Sequence, residues 1–340
     1  MSDAADTSDL VLTGVRSRSH LVYASSYLRH VLETRTGPVR LTVLPTGDAF
    51  GDGPAAEAAV RDLLVEDPRL LVRFADSAEV VAGLPPSARL LCVGAPSVRV
   101  WTTFVRTHRG RPPRVTVIDE GLGSFGTWAT RRRAYRREGG GEPRSTVRAV
   151  AVASGARWLT DERWSLYARD GRGWRVDERV AREFRHRLEG APPPPGTAVY
   201  LTQPWAALGL LSQTAYAAHL AAVREAVASV GLSLVLRPHP WEQPESYAGF
   251  DLVHGRTPAE LDRHVVAAGL VLGGNSTALL NLAAVHHTPA ARVMVPELAS
   301  LDAALGSGQR TLLDSFLPPA VPVEELARTL RVGGRGTAPL

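Results

Sequence analysis

The chain has 340 residues, 44% apolar and 21% charged. At roughly 150 residues per domain this is material for about two cores, which excludes a short peptide, a disordered chain and a fibre. All 39 basic residues are Arg, and the net +5 is uneven: residues 1–190 hold 30 Arg against 23 acids, residues 191–340 hold 9 against 11. A single cysteine, Cys92, excludes an internal disulfide and a cysteine-cluster metal site, and its setting in Leu90-Leu91-Cys92-Val93 predicts a buried, inert thiol.

Short apolar runs alternate with longer helical patterns along the chain. In the first half the runs predict strands at 10–13, 40–44, 70–74, 90–93 and 114–118, with helices at 21–33, 54–65, 98–107 and 145–153. Gly139-Gly140-Gly141-Glu142-Pro143 reads as a loop, and the four prolines of 191–196 read as a linker between a domain at 1–190 and one at 197–332. In the second half strands are expected at 198–201, 233–236, 252–254, 270–272 and 292–295. Helices are expected at 214–230, stopped by Gly231, and at 277–285. The tail from Gly333 lacks periodicity and reads as frayed. Strands separated by helices indicate parallel sheets of βαβ units, hence an α/β chain with two Rossmann-like domains facing each other across a cleft. Residues 1–8 lack the apolar core of a signal peptide. No stretch reaches the roughly 18 uncharged apolar residues of a membrane span, so a soluble, cytoplasmic protein is expected.

In open parallel sheets, ligands bind beyond the C-terminal ends of the strands. Three such ends carry chemistry. After Val115-Thr116-Val117-Ile118 comes Asp119-Glu120-Gly121, where repulsion between adjacent carboxylates raises one pKa toward that of a general base; an acidic turn closed by glycine is the structural alternative. After Ser233-Leu234-Val235-Leu236 comes Arg237-Pro238-His239-Pro240. Its two prolines fix the backbone around an imidazole that can bond or protonate a departing phosphate oxygen, with Arg237 as a nearby positive charge; a surface turn is the alternative. After Leu270-Val271-Leu272 comes Gly273-Gly274-Asn275-Ser276-Thr277, glycines and two hydroxyls at a helix start, suited to a phosphate or else an ordinary cap. Between the last two, Thr257-Pro258-Ala259-Glu260-Leu261 reads as a proline-led helix start. Favourable placement on the helix dipole explains Glu260 there, and its carboxylate could also accept ribose hydroxyls. The other nine His show no metal-ligand spacing.

Taken in order, these motifs resemble the bacterial sialyltransferases and polysialyltransferases of the two-Rossmann-domain GT-B type. Their shared signatures are an acidic pair plus Gly, a His-Pro, and a Ser-Ser or Ser-Thr. Here they stand as Asp119-Glu120-Gly121, His239-Pro240 and Ser276-Thr277. The surrounding residues are similar to the α-2,8-polysialyltransferase-like branch, with Arg237 where a Lys is common, and the resemblance spans residues 10–315. It implies an inverting, metal-independent transfer of a sialic acid or related keto-acid sugar from a CMP-activated donor to a glycan hydroxyl, with no cofactor beyond that co-substrate. Asp119 would be the base, with Glu120 the alternative, and His239 would assist departure of CMP. Ser276 and Thr277 would bind its phosphate and Glu260 the ribose or base, with Arg237, Pro240, Gly274 and Asn275 lining the nucleotide site. The absence of an Asp-x-Asp motif agrees with a reaction that needs no metal.

The resemblance also gives the basic half a role, since this fold type holds the acceptor in the N-terminal domain. Seven Arg between 131 and 148, interleaved with Trp128 and Tyr135, predict a grip on an anionic or membrane-borne acceptor, with peripheral contact at the inner face of the membrane; a solvated basic face is the plain alternative. Rival readings are a Kdo transferase or polyol-phosphate polymerase of the same architecture, a catalytically dead scaffold, and a nucleic-acid-binding module. The 6% aromatic content shows no stacking array for the last, so no specific nucleic acid is expected.

Overall fold

The computed structural model of the chain describes residues 7–44, 54–75, 78–119, 121–137, 139–255 and 257–333. Its contacts divide into two units, Met1–His186 and Arg187–Leu340. The first runs β1 (Ser8–Thr13), α1 (Arg18–Thr34), β2 (Val39–Val43), α2 (Pro54–Arg61), β3 (Leu70–Phe74), β4 (Arg89–Val93), α3 (Val98–Thr107), β5 (Arg114–Ile118), α4 (Trp128–Arg137), α5 (Arg144–Trp158), β6 (Glu162–Trp164), β7 (Tyr167–Asp170), β8 (Gly173–Val176) and α6 (Glu178–His186). Six strands form a parallel sheet in the order β3-β2-β1-β4-β5-β6, while β7 and β8 make a separate antiparallel hairpin.

The central strands β1, β4 and β5 are buried almost throughout, which is why they read as continuous apolar runs rather than alternating ones. Val11, Leu90, Cys92 and Val117 meet Val81 and Phe104 in one core, and burial pushes the Cys92 thiol up, as an inert cysteine requires. Where the strand order reverses, between β1 and β4, the chain leaves β1 through Gly14 at φ +80°. A Cβ there would lie 2.8 Å from the Val93 carbonyl oxygen, so only glycine fits.

The second unit runs β9 (Thr197–Leu201), α7 (Gln213–Ala228), β10 (Ser233–Arg237), β11 (Asp251–Leu252), α8 (Arg263–Val266), β12 (Leu270–Gly273), α9 (Thr277–His286), β13 (Ala290–Met294), α10 (Ala299–Ala303), α11 (Ser307–Phe316), β14 (Val321–Pro322) and α12 (Val323–Gly333). Its parallel sheet has the order β11-β10-β9-β12-β13-β14, the same winding as the first. Helix α7 starts at Ser212, whose hydroxyl accepts from the Ala215 amide at 3.1 Å, and lays Tyr216, Leu220, Val223 and Val227 into this unit's core with Tyr200 and Leu236.

Several elements depart from the sequence expectation. The second unit begins at Arg187, ahead of the proline stretch. Glu189 makes a parallel bridge to Asp262, its amide donates to the Leu261 carbonyl and its own carbonyl accepts from the Arg263 amide, both at 2.8 Å, so the chain is joined to the second unit from Glu189 on. The Arg-rich stretch is two helices, α4 and α5, joined by the glycine loop. The start expected at Thr257 is one 3-10 turn, Ala259–Leu261, before the four-residue α8. β6, the β7–β8 hairpin and α6 were not legible as elements, and the tail expected to fray lies, from 334 on, outside the described residues.

Candidate functional site

In the second unit, Arg237 pairs in register with Leu201, and Leu201 with Gly273. The strands are parallel, so the His239 turn and the Ser276 turn emerge on the same edge of the sheet. Two strand spacings, roughly 10 Å, separate their parent strands, with the end of β9 between them. The strand order reverses at β9 and β12, where ligands of such sheets bind.

The His239 turn is tightly held. The His239 amide donates to Thr202 Oγ1 and to Glu242 Oε2, both at 3.0 Å, and Glu242 also receives the Thr202 hydroxyl and, at 2.5 Å on its other oxygen, the Tyr247 hydroxyl. The Trp241 amide donates to His239 Nδ1 at 3.2 Å. With Nδ1 accepting, the ring proton of the neutral imidazole resides on Nε2, which makes that nitrogen a donor. Burial lowers the pKa of His239 and the Glu242 charge opposes this, so the ring is a neutral hydrogen-bond donor at pH 7 rather than a proton reservoir. Pro240 is exposed behind it, and the indole of Trp241 stands edge-on to the imidazole with centroids 5.4 Å apart.

Arg237 turns inward. It is 6% exposed, donates to the carbonyls of Val253 (3.1 Å) and Thr257, and lies 3.6 Å from Asp262. Burial lowers its pKa, while Asp262 and Glu260 raise it. Its charge therefore builds the wall beneath the His239 turn. Glu260 is 4% exposed, with Asn281 Nδ2 at 3.5 Å from Oε1, in a setting shared with Arg237 rather than on an open surface.

On the other turn, Ser276 is the N-cap of α9, its hydroxyl accepting from the Leu279 amide at 3.1 Å. Thr277 opens the helix, whose leading amides face out of the helical ladder. Trp205 packs closely on Gly274, where a Cβ would lie 3.1 Å from the indole. Asn275 braces the loop: Nδ2 donates to Asp302 at 2.7 Å and Oδ1 accepts from Arg292 at 3.5 Å. Of the residues singled out in this unit, His239, Ser276 and Thr277 thus stand at the sheet edge with anion-binding chemistry. Arg237, Gly274, Asn275 and Glu260 are engaged in building the turns that present them.

In the first unit, Asp119 follows β5 and its amide bonds the Trp164 carbonyl at 3.2 Å, extending the pairing with β6. It is 1% exposed, and neither carboxylate oxygen has a hydrogen-bond partner in good geometry among the described residues. Burial pushes its pKa up to about 6, against the pull of Arg163, 3.5 Å from Oδ1, and of the Ser165 and Ser124 hydroxyls. Gly121, at φ +89°, allows the turn that follows. Glu120 lies outside the described residues.

Sequence reasoning missed Glu242, Thr202, Trp241 and Tyr247 around His239, and Arg163, Ser124 and Ser165 around Asp119. Glu242, three residues after His239, carried a signal as a possible turn-closing acceptor. Trp241 and Ser124 also lie within a few residues of His239 and Asp119, whereas Thr202, Arg163 and Ser165 come from segments that only folding brings near. Among the described residues, no group of three or more His, Cys, Asp or Glu is placed to hold a metal ion.

Fold and topology define the class: a two-Rossmann-domain α/β protein of the GT-B kind, with two parallel six-stranded sheets wound alike. No protein-family model and no curated protein sequence matches the chain. Among solved structures it is similar to a protein described as a UDP-N-acetylglucosamine 2-epimerase from Listeria monocytogenes, with 12% identity over 96% of this chain and 87% of that one and a TM-score of 0.53. It is also similar to S. aureus MnaA solved with UDP, with 9% identity, the same coverage and a TM-score of 0.50.

Proposed function

We propose that the protein is an inverting glycosyltransferase that moves a sugar, a sialic acid or related keto-acid sugar, from a CMP-activated donor to a glycan hydroxyl. The observation that carries the reading is the pairing on one sheet edge of a neutral imidazole with its proton on Nε2 and a helix start bearing two hydroxyls. These are uncharged donors at the C-terminal end of one sheet, of the kind that departure of a nucleoside monophosphate requires. Asp119, raised toward neutrality, supplies a base.

In the reaction the acceptor oxygen attacks the anomeric carbon on the face opposite the phosphate. Its proton passes to a base, the bond from the anomeric carbon to the phosphate oxygen breaks, and its electron pair leaves with CMP. The Nε2–H of His239 and the hydroxyls of Ser276 and Thr277 bond the phosphate oxygens as charge grows there. The Trp241 amide, donating to Nδ1, holds the imidazole in the tautomer that donates from Nε2, and Glu242 fixes the turn through the His239 backbone amide.

A donor screen following nucleotide release tests this, repeated with His239→Ala and Asp119→Ala. CMP release dependent on an acceptor, lost by at least about a hundredfold in both variants, sustains the reading. Turnover of a UDP-sugar without an acceptor, as the epimerase fold-relative suggests, or of a CDP-polyol would overturn the donor assignment.

A further inference from the structure

Helices α4 and α5 form a hairpin that packs chiefly on itself. Among its described residues only Ser145 and Ala149 are buried, too little apolar surface to seat two helices. What the hairpin exposes is larger: Trp128 is 48% exposed, Val147 65%, Val150 46% and Trp158 76%. These are interleaved with charge of one sign. Residues 128–158 contain eight Arg and two acids, and one of those acids, Glu142, already bonds Arg132 at 2.6 Å. On α5 the exposed side chains include Arg144, Arg148 and Arg157 with no acid among them, and Arg148 lies over the Tyr135 ring at 4.2 Å.

We propose that this hairpin seats the protein on an anionic phospholipid surface, with Trp128, Val147, Val150 and Trp158 entering the headgroup region and the Arg side chains pairing with lipid phosphates. Helices this basic lie in the interface rather than cross it, and none among the described residues is long and apolar enough to span a bilayer. A second copy of the chain fits poorly, because like faces would bring the same positive charge together. A hydrated polyanion such as an acidic glycan satisfies the Arg residues but leaves the valines and indoles without a partner. The hairpin leaves β5 a few residues after Asp119, so an acceptor carried on lipid would be delivered to the unit that holds the carboxylate. The docking itself does not depend on the transferase reading.

The test is flotation of the full chain with vesicles of phosphatidylcholine alone or with phosphatidylglycerol, alongside binding to heparin as a soluble polyanion. The protein should float only with the anionic vesicles. At about fivefold per Arg, the triple variant Arg144→Gln, Arg148→Gln, Arg157→Gln should partition about a hundredfold more weakly. Val147→Ser with Trp158→Ser should weaken vesicle binding at least about tenfold while leaving heparin binding unchanged. Both positions are exposed, so unchanged circular dichroism and thermal unfolding confirm that the variants fold, and Trp158→Ser alone serves if the pair does not. Failure to float with anionic vesicles overturns the proposal, and so does flotation that the Val147 and Trp158 substitutions leave untouched, since the surface then reads only charge.

Discussion

Asp119 offers a quantitative test because its cost and its use have the same origin. Its carboxyl titrates near 6 in the folded protein against about 3.8 in an unfolded chain, a difference equivalent to about 3 kcal/mol. The sign follows from proton binding. Between these values the folded state holds a proton that the unfolded state has lost, so the contribution is favourable at low pH, falls as pH rises from about 4 to about 6, and is fully lost above that. Arg163 does not cancel the penalty, because its side chain is 47% exposed and shares its charge with water. Asp119→Asn removes the buried charge while keeping the shape. In urea unfolding the variant should match the parent or fall slightly below it at pH 4, where an unsatisfied amide is its main liability. By pH 8 it should exceed the parent by up to about 3 kcal/mol, or about 6–12 °C in Tm for a unit of this size. In the transfer proposed above the same equilibrium would set the rate: kcat/KM of the parent should rise with pH through about 6 and then level, and the variant should lose activity throughout. A stability difference constant from pH 4 to pH 8 would refute the reasoning, because it would mean that the carboxyl is not strained by burial.

Glu242→Gln removes the charge that opposes the fall in the pKa of His239, so the ring should titrate at lower pH in an NMR titration, and loss of its hydrogen bonds should cost about 1–3 kcal/mol in stability. An unmoved His239 titration would show that Glu242 does not act on the ring. Gly14→Ala places a Cβ against the Val93 carbonyl in a positive-φ turn and should destabilise the first unit by about 2–4 kcal/mol in urea unfolding; a loss under about 0.5 kcal/mol would show that the turn can yield.

The α/β class and the strands that carry the site were legible in the sequence because their burial is local information. A strand covered on both faces must be largely apolar, so 114–118 coincides with β5, and β9, β10 and β12 fall within a residue of expectation, while the edge strand β3 was legible at 70–74 from its run of Leu, Val and Phe although none of its residues is buried. The turns after them were legible too, since proline, glycine and hydroxyl residues restrict the backbone without help from the rest of the chain. The β7–β8 hairpin and β6 were not, because their partly exposed side chains give no continuous apolar run. Nor was the pairing of Glu189, just before the Pro-rich stretch, with residues 261–263, since its partners lie about seventy residues away in the sequence.

The residues of the site divide along the same line. The sequence by itself determined which types stand at the strand ends: a carboxylate, an imidazole between prolines, two hydroxyls at a helix start. Tertiary structure decided their states. Burial raises Asp119, the Trp241 amide assigns the proton of His239 to Nε2, carbonyls and carboxylates distant in sequence engage Arg237 and Asn275, and the Asn281 amide faces the buried Glu260. Residue type is fixed by the gene, but desolvation and hydrogen bonding depend on neighbours that come together only when the chain folds.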